Sequence, residues 1–460
     1  MGEAGMNGSS DIREAYSHNR SEDQELRQHY VHLVWQVAFL SFLLMAMALR
    51  PLHAQVAGSE AELAPNAAQN AIPESYFGMN LAGASWKHPW PTVNVGSIRT
   101  FDSEWTKVEP EKGVWDFTHL DQDVAAAQAH HAEAQLVLDT TPTWASARPN
   151  ETYPYAWEPS GSRAEAENIA DWETYVRTVA ERYKGRVHVY EMWNEPNMKG
   201  SFTGGNAQLI QLCRSAYRVL KQVDPAILVV SPSPAPGGGS IWLHTFIDQG
   251  AGDTFDILGF HFYDNLGATQ IHPESIIGTA EHLRQMLAIV RLPNKPIWNT
   301  ESGYYIHSSP AARTQIGNLP PHIHVLSQQE AVDAVGRAYA LGWASGIERF
   351  YWYGWGEPQY AIVDDLGATP KDATTAYATI SKWLTGATYL SVTNTHAGEW
   401  IVALRAKNGA PQYIVWTTGN KESFTIPADW KVLQVDDLTG GHVPISTSAI
   451  DLGGTPRLLH

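Results

Sequence analysis

From Tyr76 onward, short apolar runs alternate with longer segments whose apolar positions recur every three or four residues. Short apolar runs indicate buried strands, and the longer period indicates amphipathic helices. Strands that alternate with helices predict a parallel sheet. Eight strands are predicted, at Phe77–Asn80, Gly96–Phe101, Glu133–Asp139, Val187–Glu195, Ile227–Ser233, Asp256–Tyr263, Pro296–Glu301 and Arg349–Trp355.

Eight strand–helix units in about 310 residues favour a (β/α)8 barrel, also called a TIM barrel, whose loops tolerate insertions. The helices predicted between the strands include Asp171–Tyr183, Asn206–Val223, Pro273–Val290 and Gln328–Ala344. A doubly wound sheet is the alternative. The sequence has no Gly-rich phosphate turn after the first strand, which argues against it.

The pattern changes after a last helix at Asp372–Leu384, which Gly386 follows as a suitable C′ residue. Beyond it, apolar and polar residues alternate, which predicts half-buried strands. These strands are Glu399–Arg405, Pro411–Thr417, Ser423–Ile426 and Trp430–Val435. We therefore predict a catalytic barrel over 76–386 and a small antiparallel β-sandwich over 387–460, with Trp400, Trp416 and Trp430 as core residues rather than glycan ligands.

The N-terminal segment 1–54 is a polar tail that leads into the apolar stretch Val31–Leu49. The denser half of that stretch has the length of a signal-peptide core, and Ala54 ends a tolerable cleavage site. The whole stretch is also just long enough to span a bilayer. We expect a secreted or periplasmic protein, with either a cleaved signal peptide or a membrane anchor. Residues 55–75 read as a linker.

The chain has 48 acidic and 31 basic residues, a net charge of −17, which argues against nucleic acid as a partner. A single cysteine, Cys213, excludes intrachain disulfides and cysteine-based metal sites, and its place in a predicted helix indicates packing. His322 and His324 have metal-ligand spacing but lie in a Pro-flanked loop with no acidic ligand nearby. The sequence therefore implies no metal and no cofactor. The 18 tryptophans and 19 tyrosines of the chain are suited to stacking on sugar rings, and they are equally suited to a hydrophobic core.

Two of the predicted strands end on a glutamate, the fourth at Glu195 and the seventh at Glu301. Active sites of (β/α)8 enzymes lie at the carboxyl ends of the strands. Two carboxyls across a barrel mouth are what glycoside hydrolysis needs, since one protonates the leaving oxygen while the other attacks the sugar or activates water. The alternative for either glutamate alone is a structural salt bridge or helix cap.

The motif Trp193-Asn194-Glu195-Pro196, with a glutamate ending the seventh strand, resembles the clan A retaining glycoside hydrolases. Within that clan the sequence is most similar to glycoside hydrolase family 39, which contains β-xylosidases, α-L-iduronidases and bacterial endoglycosidases that act on exopolysaccharides. The segments that look most like the endoglycosidases are Phe77–Asn80, Arg99–Trp105 and Tyr351–Trp355. The resemblance covers about residues 76–385. It implies that Glu195 is the acid/base, that Glu301 is the nucleophile, and that anomeric configuration is retained.

The resemblance also implies neighbours for the two carboxyls. Asn194 would bind the sugar 2-hydroxyl. Arg99 would hold Glu301 ionised, while less polar surroundings would keep Glu195 protonated.

Other residues on the same strands have two interpretations each. The resemblance implies that His261 and Tyr263, at the end of the sixth strand, orient the nucleophile, and a buried core pair is the alternative. Glu191 shares the face of Glu195 and is interpreted as the partner of a buried Arg or His.

Aromatic residues near the strand ends are candidate sugar contacts. Trp144 would wall the subsite, and Trp352 with Trp355 would form a stacking platform, although barrel packing suits each equally. Loops that carry Tyr155 and Trp157, or Tyr304 and Tyr305, would form outer subsites of an open cleft. Lys87 and Arg148 are the other cations placed near it.

We therefore expect an exported retaining glycosidase that is endo-acting on a bacterial exopolysaccharide or related β-glycan. The enzyme alternative is an exo-acting, β-xylosidase-like protein with a closed pocket. A non-catalytic glycan-binding scaffold is the third reading, and the presence of both Glu195 and Glu301 counts against it.

Overall fold

The computed structural model describes residues 61–63, 70–81, 89–152, 158–263, 272–306, 323–356, 360, 362–363, 370–395, 398–420, 422–445 and 448–460. Eight parallel strands in this part of the chain form the barrel. They are Phe77–Asn80, Ser97–Thr100, Glu133–Leu138, Val189–Met192, Leu228–Val230, Leu258–His261, Ile297–Ser302 and Ile347–Trp352.

The barrel closes through neighbours in chain order. Strand one pairs with strands two and eight, and the order then runs through all eight. A parallel bridge from Val230 to Ile257 joins strands five and six. The predicted (β/α)8 fold is therefore confirmed.

Buried strands and one-sided helices explain why these segments adopt their structure. All six residues of strand seven are buried, as expected of a parallel sheet covered by helices. The helix Asn206–Val223 buries Leu209, Cys213, Ala216 and Leu220, which form one stripe along it. Cys213 is thus a packing residue, as the sequence indicates. The helices are Trp105–Val108, Thr118–Ala129, Ile169–Arg182, Asn206–Val223, Gly239–Phe246, Ser275–Ile289, Gln328–Ala344 and Asp372–Leu384.

After the barrel, the chain forms most of a seven-stranded antiparallel sheet. It also forms a separate two-stranded sheet. In spatial order the larger sheet contains Ala61–Leu63, Thr388–Asn394, Glu399–Arg405, Pro411–Thr417, Arg457–Leu459, Gln434–Asp437 and His442–Pro444. The smaller one pairs Glu422–Thr425 with Ala449–Leu452. Gly386, at φ +79°, ends the preceding helix as predicted.

Two details of this region differ from the sequence prediction. Trp430 lies in a short 3-10 turn, and the strand predicted to begin there starts at Gln434 because Lys431 adopts φ +52°. Within the predicted linker 55–75, Ala61–Leu63 pairs with Thr388–Asn394 and Ile72 is buried. The leader Val31–Leu49 lies outside the described residues. Of the helices that are described, none is long and apolar enough to cross a membrane.

The tryptophans of the C-terminal sheet pack among themselves and against the barrel. Trp400 and Trp416 are buried and stack with ring centroids 5.8 Å apart. Trp430, in its 3-10 turn, stacks on Tyr413 of the sheet with ring centroids 3.6 Å apart. The Trp416 Nε1 donates to Glu274, at the start of a barrel helix, over 3.0 Å. These contacts support the core-packing interpretation.

We predict that Gly342→Ala lowers the free energy of unfolding by about 1–3 kcal/mol, the usual cost of overpacking. A Cβ at Gly342 would lie 2.6 Å from the Tyr76 hydroxyl oxygen and 2.8 Å from the Phe350 ring. The control is Gly278→Ala, also on a helix but with no atom within 4 Å of the new Cβ, which should gain about 0.5–1 kcal/mol from helix propensity. Urea unfolding measures both, and equal changes would contradict the close packing.

Candidate active site

A buried arginine on strand two lies at the centre of the barrel mouth. The Nε and Nη2 of Arg99 donate to the two oxygens of Glu191 over 2.6 and 3.1 Å. Its Nη1 donates to Glu301 over 2.8 Å and to Asn80 over 3.0 Å. Its Nη2 also donates to Asn194 over 2.8 Å. One side chain thus ties together strands one, four and seven, so the site has a fixed geometry.

Glu191 is the structural partner of this arginine. The Nε2 of Gln135 donates to the same Glu191 oxygen as the Arg99 Nε, over 2.6 Å, and the glutamate is fully buried. Both of its oxygens are occupied, so it does not reach a substrate. The interpretation of Glu191 as the partner of a buried arginine is confirmed.

The two glutamates that end strands four and seven face each other beside a histidine. One oxygen each from Glu195 and Glu301 and one nitrogen of His261 all lie within 4.8 Å of one another. The His261 Nδ1 is 2.9 Å from Glu195 Oε1 and 3.9 Å from Glu301 Oε1. The Tyr263 hydroxyl donates to Glu301 Oε1 over 2.7 Å. His261 and Tyr263 therefore contact the two carboxyls directly rather than forming a separate core pair.

The strand-four motif leaves the extended conformation to bring its glutamate into this position. Trp193 and Glu195 have φ of +52° and +48°, in the left-handed region that non-glycine residues rarely adopt. The Glu195 N–H donates to the Ser233 carbonyl, and the Trp193 Nε1 donates to the Ser201 carbonyl. Backbone strain of this kind persists where surrounding contacts enforce it, and it is concentrated at functional sites.

Burial and charged neighbours shift the pKa of Glu195, the acid/base candidate, in opposite directions. Burial would raise the pKa of Glu195, but the hydrogen bond with His261 and the charges of Arg99 and Arg163 together hold this pKa below its ordinary value. The expectation that less polar surroundings keep Glu195 protonated is therefore wrong, because its charged neighbours outweigh its burial. By contrast, burial and then Glu301 raise the pKa of Tyr263 well above its ordinary value, so Tyr263 remains a donor.

A divalent cation is an unfavourable occupant of this site. Two carboxylates and an imidazole offer the right ligand types and spacing. However, the Arg99 guanidinium lies 2.8 Å from Glu301 and would repel a second cation bound to the same carboxylate. The hydrogen bonds of His261 and Tyr263 already occupy the oxygens that face one another.

The predicted tryptophans are placed differently from expectation. Trp352 and Trp355 are 0% and 1% exposed, so they pack within the barrel and do not form a stacking platform. Trp144 is half-buried, follows strand three, and donates to the Glu109 carbonyl over 3.1 Å. It therefore remains a candidate wall of the cleft.

A cluster of tyrosines lies beside Tyr263, and part of it was not predicted. Tyr305 stacks on Tyr360 with ring centroids 4.6 Å apart, and Tyr360 also packs against Tyr353 at 5.3 Å and Tyr263 at 6.3 Å. Tyr360 lies in no sequence motif, so only the folded structure shows that it joins this cluster. Lys87, Tyr155, Trp157 and His322 lie outside the described residues.

Cations near the mouth are engaged by acidic neighbours. Arg148 forms ion pairs with Glu151 and Glu165 at 2.8 and 2.9 Å. Arg163 pairs with Glu158. Arg148 is therefore a structural residue of its loop rather than a free ligand for an acidic sugar.

Asp139, directly after strand three, is a buried carboxyl that sequence analysis assigned only to a strand end. Neither of its oxygens has a hydrogen-bond partner in the described structure, and the nearest cation, Arg163, is 3.9 Å away. Burial, followed by the nearby charge of Glu104, raises the pKa of Asp139 to about 8. The side chain thus holds a proton at neutral pH.

Residues 138–354 match the family model described as the glycosyl hydrolase catalytic core. Over these residues the chain has the sequence pattern of that catalytic core. The match includes Glu195 and Glu301, and it confirms that this chain is an enzyme of the glycosidase class. The sequence has no match among curated proteins.

Solved glycoside hydrolases share the fold. A family 39 enzyme from Bacteroides cellulosilyticus WH2 is 20% identical, with a TM-score of 0.63 over 84% of this chain and 81% of that one. A monomeric β-xylosidase from Caulobacter crescentus CB15 is 14% identical, with a TM-score of 0.61 over 85% and 97%. A family 30 endoxylanase from Clostridium papyrosolvens C71 is 12% identical, with a TM-score of 0.53 over 86% and 97%. The resemblance to the clan A enzymes therefore extends to the fold.

We predict that Asp139→Asn stabilises the enzyme most at alkaline pH. Because folding raises the pKa of Asp139 to about 8, the folded protein binds more protons than the unfolded chain between about pH 4 and 8. Asp139 therefore costs stability as pH rises through that window, by up to about 1.4 kcal/mol per pH unit. Asn does not ionise, so the variant should lack this decline.

Melting temperatures at several pH values measure the effect. The control is Asp123→Asn at a buried carboxyl that accepts a hydrogen bond from Thr100 over 2.7 Å. This control should destabilise the protein. An Asp139→Asn profile that runs parallel to the wild-type profile would show that Asp139 is ionised in the native state.

Proposed function

We propose that this glycoside hydrolase cleaves O-glycosidic bonds with retention, with Glu301 as nucleophile and Glu195 as acid/base. The observation that carries the proposal is the approach of the two carboxyls to within 4.8 Å, each with its own set of partners. Retaining enzymes hold their carboxyls about 5–5.5 Å apart, whereas inverting enzymes leave room for a water between them.

In the first step, Glu301 attacks the anomeric carbon. Its carboxylate form is favoured by the donors Arg99 and Tyr263. Glu195 acts here in its protonated form, which its charged neighbours make less favourable than at an ordinary glutamate. As the bond from carbon to Glu301 forms, the glycosidic bond breaks and the leaving oxygen takes that proton. Asn194 accepts from Arg99 through its Oδ1, which leaves its Nδ2 as the donor for the sugar 2-hydroxyl.

In the second step, water attacks the same carbon, the bond from that carbon to Glu301 breaks, and Glu301 leaves as a carboxylate while Glu195 accepts the proton of the water. Glu301 loses its negative charge while it is esterified, so the neighbouring Glu195 ionises more readily. The hydrogen bond with His261, at 2.9 Å, stabilises the carboxylate that acts as base. The same pair of groups thus serves as acid and then as base.

For the substrate, we propose endo action on a bacterial exopolysaccharide or related neutral β-glycan. The pairing of Arg148 and Arg163 with glutamates supports an uncharged polymer. The exo-acting alternative is supported by the fold shared with the Caulobacter β-xylosidase. We also propose export, on the strength of the apolar stretch Val31–Leu49.

We predict that Glu301→Gln abolishes the release of reducing ends from the polysaccharide that the wild type degrades, a loss of at least about 10³-fold. Plant and bacterial polysaccharides are screened with the full chain, and proton NMR follows the anomer first released. The matched control is Glu173→Gln, a helix carboxylate that pairs with Arg218 away from the mouth. Initial release of the inverted anomer would refute retention, and equal activity of Glu301→Gln would refute the assigned nucleophile.

We predict that His261→Ala moves the alkaline limb of the kcat/KM profile to higher pH, by about one unit. The hydrogen bond with His261 lowers the pKa of Glu195, so its loss lets Glu195 keep its proton to higher pH. The control Tyr263→Phe removes a contact to Glu301 only, and should lower kcat without moving this limb. An unchanged alkaline limb in His261→Ala would rule out Glu195 as the acid coupled to His261.

A further inference from the structure

Strand seven contains an extra residue directly before the nucleophile candidate. Asn299 and Glu301 are two residues apart, yet they pair with adjacent residues of strand six, so Thr300 is extra in the ladder. The register also shifts against strand eight, between Asn299 and Ser302. A β-bulge of this kind re-aims the side chains beside it, and bulges are over-represented next to active sites. The direction of the Glu301 carboxyl therefore depends on this bulge.

The buried amide of Asn299 spans the bulge and connects it to strand six. Its Nδ2 donates to the Ser302 Oγ over 2.7 Å, and its Oδ1 accepts from the Phe262 N–H over 3.4 Å. The same N–H donates to the Glu301 carbonyl over 3.1 Å. Both polar atoms of the amide thus have partners, as a buried polar group requires. Because the Phe262 N–H can only donate, it also fixes which way the amide is turned.

The contact with Phe262 relates Asn299 to the nucleophile a second time. Phe262 directly precedes Tyr263, whose hydroxyl donates to Glu301 Oε1 over 2.7 Å. Asn299 therefore holds the backbone on both sides of that contact, at the bulge on strand seven and at the end of strand six.

The extra residue of the bulge is held by a second amide, which comes from strand one. The Nδ2 of Asn80 donates to the Thr300 carbonyl over 3.3 Å, and its Oδ1 accepts from Arg99 over 3.0 Å. The bulge is thus tied to the same guanidinium that contacts Glu301. Asn299 differs from these groups because it touches neither catalytic carboxyl, and with 0% exposure it does not reach a substrate.

We propose that Asn299 is a positioning residue for the nucleophile. Its amide keeps the bulge in register with the end of strand six, so that Glu301 points at the anomeric carbon while Tyr263 remains bonded to it. The inference rests on the proposed retaining mechanism, because it assigns Asn299 an effect on the step in which Glu301 attacks. A misplacement of about 1 Å lowers the rate of such a step by about 100-fold.

The experiment isolates that step with 2,4-dinitrophenyl 2-deoxy-2-fluoro-β-glycosides of glucose, xylose and mannose, added to the full chain. As Glu301 attacks, the bond from the anomeric carbon to the phenolate oxygen breaks and dinitrophenolate leaves without needing a proton from Glu195. Asn299→Ala should lower the limiting rate constant of inactivation at least about tenfold, while the concentration for half-maximal inactivation stays within about threefold.

Gln412→Ala is the matched control. It also removes a buried amide, which donates to the Trp383 carbonyl over 3.0 Å in the C-terminal sheet. Both variants should melt at a lower temperature than the wild type, but Gln412→Ala should be inactivated at the wild-type rate. An Asn299→Ala rate constant equal to that of the wild type, or a loss confined to the half-maximal concentration, would overturn the inference.

Ser302→Ala provides a milder variant in case Asn299→Ala does not fold. It removes one of the two partners of the amide and should slow inactivation about threefold, the loss expected from a single neutral hydrogen bond. The double variant should match Asn299→Ala, because both changes remove the same bond. An unchanged rate in Ser302→Ala, or two effects that multiply in full, would contradict the proposed role.

Crystal structures of these variants separate the inference from the mechanism. In Asn299→Ala the Tyr263 hydroxyl and Glu301 Oε1 should separate beyond about 3.5 Å, the limit of a hydrogen bond. Loss of this contact supports the positioning role even if no fluoroglycoside labels the wild type, which would count against the proposed function alone. An unchanged contact would overturn the positioning role and leave the retaining mechanism standing.

Discussion

The buried guanidinium of Arg99 is the interaction on which the active site depends. A charge removed from water must be matched by partners with good geometry, or it destabilises the fold. Arg99 meets this requirement with five hydrogen bonds to four side chains on strands one, four and seven. The Glu191 carboxylate balances its charge and is itself held by Gln135. The positions of Glu301 and Asn194 are therefore set by hydrogen bonds to the same guanidinium whose charge Glu191 balances.

The same arrangement gives two nearby glutamates different surroundings. Glu301 receives donors from Arg99 and Tyr263, whereas Glu195 shares a hydrogen bond with His261. Both residues are acidic and only a few ångströms apart, so the difference comes from the partners and not from residue type. Asp139 is a third carboxyl in this region, and its raised pKa, caused first by burial, avoids one further negative charge at the mouth.

Sequence reasoning succeeded where one local signal decided the outcome. Apolar runs located the eight barrel strands, and the helix Gln328–Ala344 was predicted with its observed ends. In the structure, Ser327 and Glu330 form a capping box at its start. It failed where contacts between residues far apart in the sequence determine the structure.

Trp352 sits at a strand end as an exposed stacking residue would, yet it is buried. Ala61–Leu63 has no strand pattern of its own and forms a strand only because Thr388–Asn394 offers an edge. The position of Tyr360 in the tyrosine cluster depends on loops that meet only in the folded chain. The same holds for the lack of hydrogen-bond partners around Asp139 in the described structure.

The helix Gln328–Ala344 is buried on nearly every face, and this accounts for the position of the C-terminal sheet. A helix that is apolar all round needs cover on its outer side. Leu438 and Pro456 of the sheet region lie so close to Gly336 that a Cβ there would approach them within 2.3 and 3.1 Å.

The sheet also reaches the rim of the active site. Glu274 accepts from both Trp416 and Arg337 through one oxygen, at 3.0 and 3.1 Å, directly before the helix Ser275–Ile289. The sheet thereby holds the start of the helix that follows strand six, the strand that carries His261, so its contacts extend from the outer side of the barrel to an element next to the active site.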